Sequence, residues 1–259
     1  MEKILLNVDS KFRNKLLYPS PASFSIQAEN VFKNVVSIAL VSMEFKNTHY
    51  IISQFRQNNS FLCNGSKVIL DDGNYTLQYI LYLLGLQLKT IDNAFQLTFH
   101  DSTGRLTISS TNPFTIDFRG KSPYGCLGEY LGFRNEIYEN RSQIYSSKTV
   151  DISGEDYFFL RINDYGNIRM NLVDNSLAFA KIVLDKDKYS TIYHNNSDTI
   201  YKNHEFRQPT DISRLTFELI DYLGNPLPLS IYDQDFSLTL ELSYVYNARL
   251  KHTLEKNIF

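Results

Sequence analysis

The chain has 259 residues, is 43 % hydrophobic and carries a formal net charge of −2. That length suffices for one large or two small domains with a real core, and the near-zero charge supplies no basic field for nucleic acid. Aromatic residues make up 14 %, all Tyr or Phe because Trp is absent, a load that favours β structure.

In chain order, residues 3–8 alternate and predict a first strand. Asp9-Ser-Lys-Phe-Arg-Asn then leads into a loop that Pro19 and Pro21 hold extended. A short strand is expected over 24–28 and, after a turn, a long one over 35–45. There Val36, Ile38, Leu40 and Met43 lie on an almost continuous apolar background, which suits a strand covered on both faces. Residues 51–60 turn polar and read as a surface connector. A short strand over 66–70 meets the turn Asp71-Asp-Gly-Asn. Over 76–89, Leu77, Ile80, Leu81, Leu84 and Leu88 recur at helical spacing, with Asn74 or Thr76 as the cap. Strands at 95–100 and 105–109 flank the turn Asp101-Ser-Thr-Gly, and another at 114–118 follows a break at Asn112-Pro113. Residues 122–133 read as a short helix closed by Gly132, and 134–148 as a polar connector.

Alternation resumes at 157–163 and 178–184. Residues 186–205 read as a polar surface excursion with a short hairpin near 191–193. Strands are expected again over 214–221 and 236–246, where Phe236, Leu238, Leu240, Leu242 and Tyr244 share one face. Residues 247–259 form a charged tail. The implied fold is mainly β: an antiparallel β-sandwich, single jelly-roll-like, with an inserted small α+β unit. Residues 1–60 and 140–259 supply the sandwich, and 61–139 the inserted unit. About eight such strands close most simply as a jelly roll.

The residues offer little chemistry. The five histidines sit in no HExxH, and there is no zinc-spaced His/Cys cluster, P-loop, GxGxxG or GxSxG. Asp71 with Asp72, the acids Asp151, Glu155 and Asp156, and Asp233 with Asp235 could each hold a cation or act as acid and base. Turn and loop chemistry accounts for all of them. Cys63 and Cys126 form no CxxC; one disulfide or two free buried thiols would fit, and a reducing compartment favours the thiols. The first residues are too quickly polar for a signal peptide and no run is long enough to span a membrane. The sequence thus predicts no enzyme, metal or cofactor. The candidate partner-contact residues are Lys11 and Arg13, in a small basic cluster, and Tyr189, Tyr193 and Tyr201, because exposed Tyr offers rigid area with a polar tip. Ordinary surface composition accounts for these too.

Several segments in order resemble minor capsid proteins of large nucleocytoplasmic double-stranded DNA viruses. The opening is Asp9-Ser-Lys-Phe-Arg-Asn, Tyr18-Pro-Ser-Pro-Ala-Ser-Phe-Ser-Ile and Asn34-Val-Val-Ser-Ile-Ala-Leu-Val-Ser-Met-Glu-Phe-Lys-Asn-Thr. The middle is Asp72-Gly-Asn-Tyr-Thr with its helix, Asp101-Ser-Thr-Gly and Leu131-Gly-Phe. The closing strands are Ser213-Arg-Leu-Thr-Phe-Glu-Leu-Ile-Asp and Asp235-Phe-Ser-Leu-Thr-Leu-Glu-Leu. The resemblance implies a giant-virus virion protein, either a minor capsid protein or a penton-type jelly roll, assembled in host cytoplasm. It implies contact with the major capsid protein and other minor capsid proteins, or a homopentamer, and neither nucleic-acid binding nor membrane insertion. A β-sandwich that reads glycans or a receptor on the virion is the alternative.

Overall fold

A computed structural model of the protein describes residues 1–170, 177–195, 202–229 and 234–246. In chain order its strands are β1 (Glu2–Asp9), β2 (Ser23–Lys46), β3 (Ser60–Cys63), β4 (Ser66–Ile69), β5 (Gln96–His100), β6 (Arg105–Asp117), β7 (Ile137–Tyr145), β8 (Tyr157–Ile162), β9 (Ile168–Arg169), β10 (Leu177–Ala178), β11 (Ala180–Val183), β12 (Thr191–Asn195), β13 (Asn203–Ile220) and β14 (Phe236–Tyr244). The helices are α1 (Leu77–Ile91) and α2 (Leu127–Tyr130). The chain falls into two units. One joins Met1–His49 to the residues from Asp156 onward; the other is Tyr50–Glu155.

The first unit is built around β2. Its seven-stranded antiparallel sheet runs β1-β14-β2-β13-β8-β11, with β12 also paired to β2. The short strand and long strand expected at 24–28 and 35–45 are one strand, not two. A turn is avoided because Asn34 takes φ 54°, its N–H donates to Asp211 Oδ1 at 2.8 Å, and its carbonyl accepts from the Val245 N–H at 3.2 Å. Asn tolerates this left-handed backbone better than most residues. The first limb of β2 pairs with β13 from Phe24↔Phe217 to Gln27↔Arg214. The second limb pairs with β14 from Val35↔Tyr244 to Phe45↔Phe236. Phe24 meets Phe217 at 5.4 Å and Phe236 at 5.9 Å, while Phe45 meets Phe158 of β8 at 4.7 Å. Contacts between such separated positions mean the sheet curls onto itself and closes a core.

Two irregularities explain the non-alternating run in β2. Against β14 its register shifts by one residue between Ser42 and Leu40, and again between Ser37 and Val35. Each extra residue flips the parity of the side chains beyond it. Ile38 and Leu40 therefore share the buried face with Met43 and Phe45, which strict alternation would forbid. β14 faces them with Leu238, Leu240 and Leu242, as its clean alternation predicts.

The second unit packs α1 on a five-stranded antiparallel sheet of order β4-β3-β6-β5, with β7 also on β6. Thr76 caps α1 by accepting from the Tyr79 N–H, and Ile80, Leu84 and Leu88 form its buried stripe. Gly132 ends the α2 region at φ 82°, where a Cβ would collide with the Lys148 carbonyl. Three expectations fail here. The strands at 105–109 and 114–118 are one, β6, whose pairing with β7 is interrupted between Ser109 and Phe114, the irregular place that tolerates Pro113. The polar connector at 134–148 contains β7, an outer strand whose residues are mostly exposed and so lack an apolar signature. The connector at 51–60 is not a surface segment: Ile51, Ile52, Ser53, Arg56 and Asn58 are buried. Likewise, within 186–205, β12 pairs with β2 and buries Ile192. The tail at 247–259 lies outside the described residues, among which no helix is long and apolar enough to cross a membrane.

An ion pair between Arg56 and Glu155 lies near both chain ends of the second unit, with side chains 3 % and 8 % exposed. The guanidinium also sits 4.8 Å from the centre of the Tyr124 ring, and the Ser122 hydroxyl donates to the Arg56 carbonyl. Glu155→Gln leaves the buried cation without its counter-charge and should cost on the order of 3–5 kcal/mol, read as a lower denaturation midpoint. Cys63 and Cys126 report on the same unit. Both are free and buried, and burial pushes both thiols up to about 11 from the usual 9.0. The unfolded chain ionises first, so this part of the stability is complete below pH 9.0 and is lost as pH rises toward about 11. Thiol labelling of the folded protein should be slow at pH 8, accelerate across that alkaline window, and be faster in Glu155→Gln at every pH.

Candidate contact surface

β1 delivers the chain into the loop between Asp9 and β2, and Arg13 sets the shape of that loop. Its Nη1 donates to Asp235 Oδ1 and to the Ser10 carbonyl, both at 2.8 Å. Its Nε donates to the Tyr18 carbonyl at 2.9 Å and its Nη2 to the Pro19 carbonyl at 3.0 Å. The Ser10 hydroxyl donates to the same Asp235 oxygen at 2.7 Å and accepts from the Phe236 N–H at 3.0 Å. Asn14 Oδ1 accepts from the Leu16 and Leu17 N–H groups at 3.1 and 3.2 Å. A planar guanidinium with five donors can hold three carbonyls and a carboxylate at once. The Arg13 side chain is 7 % exposed as a result.

What the loop displays is apolar. Phe12 is 87 % exposed, Leu16 93 % and Leu17 69 %. Single exposed apolar residues are ordinary, but three on one short, internally bonded loop form a patch of the kind that marks a binding surface. Lys11 and Lys15 flank it, both exposed. Lys11 also borders a shallow depression with Asp9, Glu44 and Asp235.

A groove of about 810 Å³ opens at the other end of β1. Ile4 and Leu6 of β1, Leu242 of β14, Ile26 of β2 and Leu215 of β13 line its walls, and residues 27–35 of β2 pass around it. Across that passage the β2–β13 pairing jumps from Gln27↔Arg214 to Phe32↔Ile212, so residues between Gln27 and Phe32 bow outward. Val31 on the bow is 45 % exposed. Arg214 donates to the Tyr18 hydroxyl at 3.1 Å and Ser25 Oγ at 2.9 Å. Glu2 accepts from the Tyr244 hydroxyl at 2.8 Å. That bond and its negative charge push the Tyr244 and Tyr246 hydroxyls up from their usual range.

The tyrosine candidates lie elsewhere on the first unit. Tyr189 is 65 % exposed at φ 69°, an uncommon backbone for a bulky residue. Its N–H donates to the Asn47 carbonyl at 2.8 Å, and the Lys188 ammonium donates to Asn47 Oδ1 at 3.1 Å beside it. Tyr193, 52 % exposed, sits on β12 opposite Glu44. Tyr201 lies outside the described residues. Of the acids, Asp72 accepts from the Gln54 N–H, Asp151 from Ser153, Asp235 from Arg13, and Glu155 pairs with Arg56. Among the described residues no group of three or more His, Cys, Asp or Glu side chains could hold a metal ion. Phe12, Leu16 and Leu17 were not among the sequence candidates. Their signal was available: large apolar residues inside a segment that already read as a loop.

Residues 1–203 match a family described as of unknown function, DUF5901. No curated protein matches the sequence. Among solved structures, the crystal structure of the selenomethionine-labelled mavirus penton protein matches with a TM-score of 0.53 at 12 % identity, covering 94 % of this chain and 100 % of that one. The Sputnik virophage structure solved by cryo-electron microscopy matches with a TM-score of 0.47 at 11 % identity, covering 94 % of this chain and 98 % of that one. The penton likeness shows a shared fold: this chain has the antiparallel, jelly-roll-like β architecture expected of it.

Arg13→Leu should keep the hydrophobic volume near the loop but leave Asp235 and three carbonyls without their donor. A stability loss of about 2 kcal/mol is expected, since each hydrogen bond to a charged group contributes roughly 1.5–3 kcal/mol. Amide exchange over residues 10–22 should accelerate well beyond that of β14.

Proposed function

The chain belongs to the DUF5901 family, and we propose that it is a virion structural protein, a minor capsid or penton-type component of an icosahedral shell. The observation that carries the reading is the extent of the likeness to the mavirus penton protein: all of that chain and nearly all of this one superpose in a single fold. A capsid component acts through contact, and the first unit offers the surfaces that contact needs. Arg13 ties the backbone on either side of its apolar loop residues, so less backbone entropy remains to be lost on docking.

In this reading the partners are other capsid proteins, the major shell protein and further minor proteins among them. The shell is that of a large double-stranded DNA virus or a related smaller particle, assembled in host cytoplasm. Two of the acids that the sequence offers for catalysis are engaged in ion pairs, Glu155 with Arg56 and Asp235 with Arg13. Mass spectrometry of purified particles tests the proposal. The protein should be present at a fixed, low ratio to the major shell protein and should survive stringent washing. Its absence from particles whose major shell protein is recovered in full would overturn it.

A further inference from the structure

The groove beside β1 is an apolar surface that the described residues leave open. Ile4 is 42 % exposed, Val31 45 % and Tyr246 78 %, and all three line it with Ile26 and Leu242. The last described residues lie at the same place. β14 finishes at Tyr244, the Val245 N–H donates to the Asn34 carbonyl at 3.2 Å, and Val245 and Tyr246 are both on the lining. Residues 247–259 follow, reading Asn-Ala-Arg-Leu-Lys-His-Thr-Leu-Glu-Lys-Asn-Ile-Phe. Most of their apolar residues keep one spacing. Tyr246, Leu250, Leu254 and Ile258 recur every four positions, the row that shares one face of a helix. Arg249, Lys251, Glu255 and Lys256 all fall outside that row, so the pattern is amphipathic. The first member of the row, Tyr246, is already at the groove.

We propose that residues 247–259 fold back on their own chain and lay Leu250, Leu254 and Ile258 into this groove behind Tyr246. Reach is no obstacle. Leu250 is four residues beyond Tyr246, about 6 Å along a helix and about 13 Å along an extended chain. The groove, about 810 Å³, falls within the roughly 300–1,000 Å³ that encloses a drug-sized ligand. It therefore takes a row of side chains and not a whole helix. A short tether supplies its segment at an effective concentration on the order of millimolar, so a few apolar contacts suffice. Charge does not drive the contact. Lys33 and Arg214 outnumber Glu29 on the lining, and Arg249, Lys251 and Lys256 outnumber Glu255 in the segment. The attraction is that of apolar surface removed from water, and added salt should not loosen it. In this arrangement the groove is closed in the free chain, and any partner that enters it must first displace residues 247–259.

Crosslinking in the full-length chain tests this. Leu254→Cys is combined with Val31→Cys or with Ile4→Cys, which sample the β2 and β1 walls, and Glu255→Cys is combined with each in the same way. Cys63 and Cys126 are buried, and the wild-type chain controls for them. Under mild oxidation at least one Leu254→Cys pair should close a disulfide within the chain, read as a monomer lighter by two hydrogens. It should close roughly tenfold faster than the matching Glu255→Cys pair, because adjacent positions point to different faces and a disulfide needs its Cβ atoms close. Dilution and added salt should not slow it. In parallel, Leu250→Asp with Leu254→Asp should raise the binding of a fluorescent apolar dye several-fold, with an unchanged circular dichroism spectrum. Equal closure by the Leu254→Cys and Glu255→Cys pairs, or closure by neither, overturns the proposal. So does a disulfide that joins two chains and slows on dilution, which would seat the segment in a neighbour's groove. Closure slowed by salt, or dye binding that the double Asp variant leaves unchanged, overturns it too. None of these outcomes touches the recovery of the protein in particles, so this contact can fail while the virion role stands.

Discussion

One strand serves both layers of the first unit, and most of that unit depends on it. β2 pairs with β13 along both limbs, from Ser23 to Ala39, and with β14 and β12 along its second, so it pairs with three of the other strands in its sheet. The change of direction is concentrated at Asn34, where a left-handed backbone is secured by Asp211 on one side and Val245 on the other. Because the strand does not break, the two limbs cannot choose their registers independently. A slip on one side would carry the other with it and expose a full face of apolar side chains. The two single-residue bulges resolve the remaining mismatch. They let a twisted strand keep Ile38, Leu40, Met43 and Phe45 on one side while following the curl of the sheet.

In each unit a buried guanidinium in an irregular segment is balanced by one carboxylate. Arg13 answers Asp235 and the carbonyls of the loop after β1. Arg56 answers Glu155 and stacks on Tyr124, near both ends of the second unit. At Arg13 the charge holds a loop that displays apolar residues. A basic residue in a loop is thus a poor guide to what the loop touches, whereas its uncharged neighbours can be a good one.

The parts of the fold legible in the sequence are those whose periodicity is simple. β14 reads cleanly because it alternates without interruption, and α1 because Leu77, Ile80, Leu84 and Leu88 recur at three and four residues behind the Thr76 cap. β7 was hidden because its exposed residues carry no apolar code, and the buried stretch around Ile51 to Asn58 because its polar side chains look solvated until their partners are known. Asn58 illustrates this: its amide donates to the Ile51 carbonyl while its Oδ1 accepts from the Ser53 N–H, bonds no linear pattern announces. The contact surface was half legible. Arg13 stood out by charge, and its true neighbour, Asp235, lies 222 positions away. Local reading cannot see a pairing of that span.

The pairing of β1 with β14 joins Glu2 to Tyr244 and Asp9 to Ser237. On a ribosome the first of these strands emerges with nothing to pair with. At roughly 5–20 residues per second it waits on the order of ten to fifty seconds for its partner. Through that interval Ile4, Leu5 and Leu6 are an uncovered edge, and the loop that carries Phe12, Leu16 and Leu17 has no Asp235 to set it. The bonded form of that loop therefore comes into being only when synthesis of the sandwich is nearly over. A nascent or truncated chain that ends before Asp235 lacks the carboxylate that Arg13 and Ser10 bond, and so cannot form the finished loop.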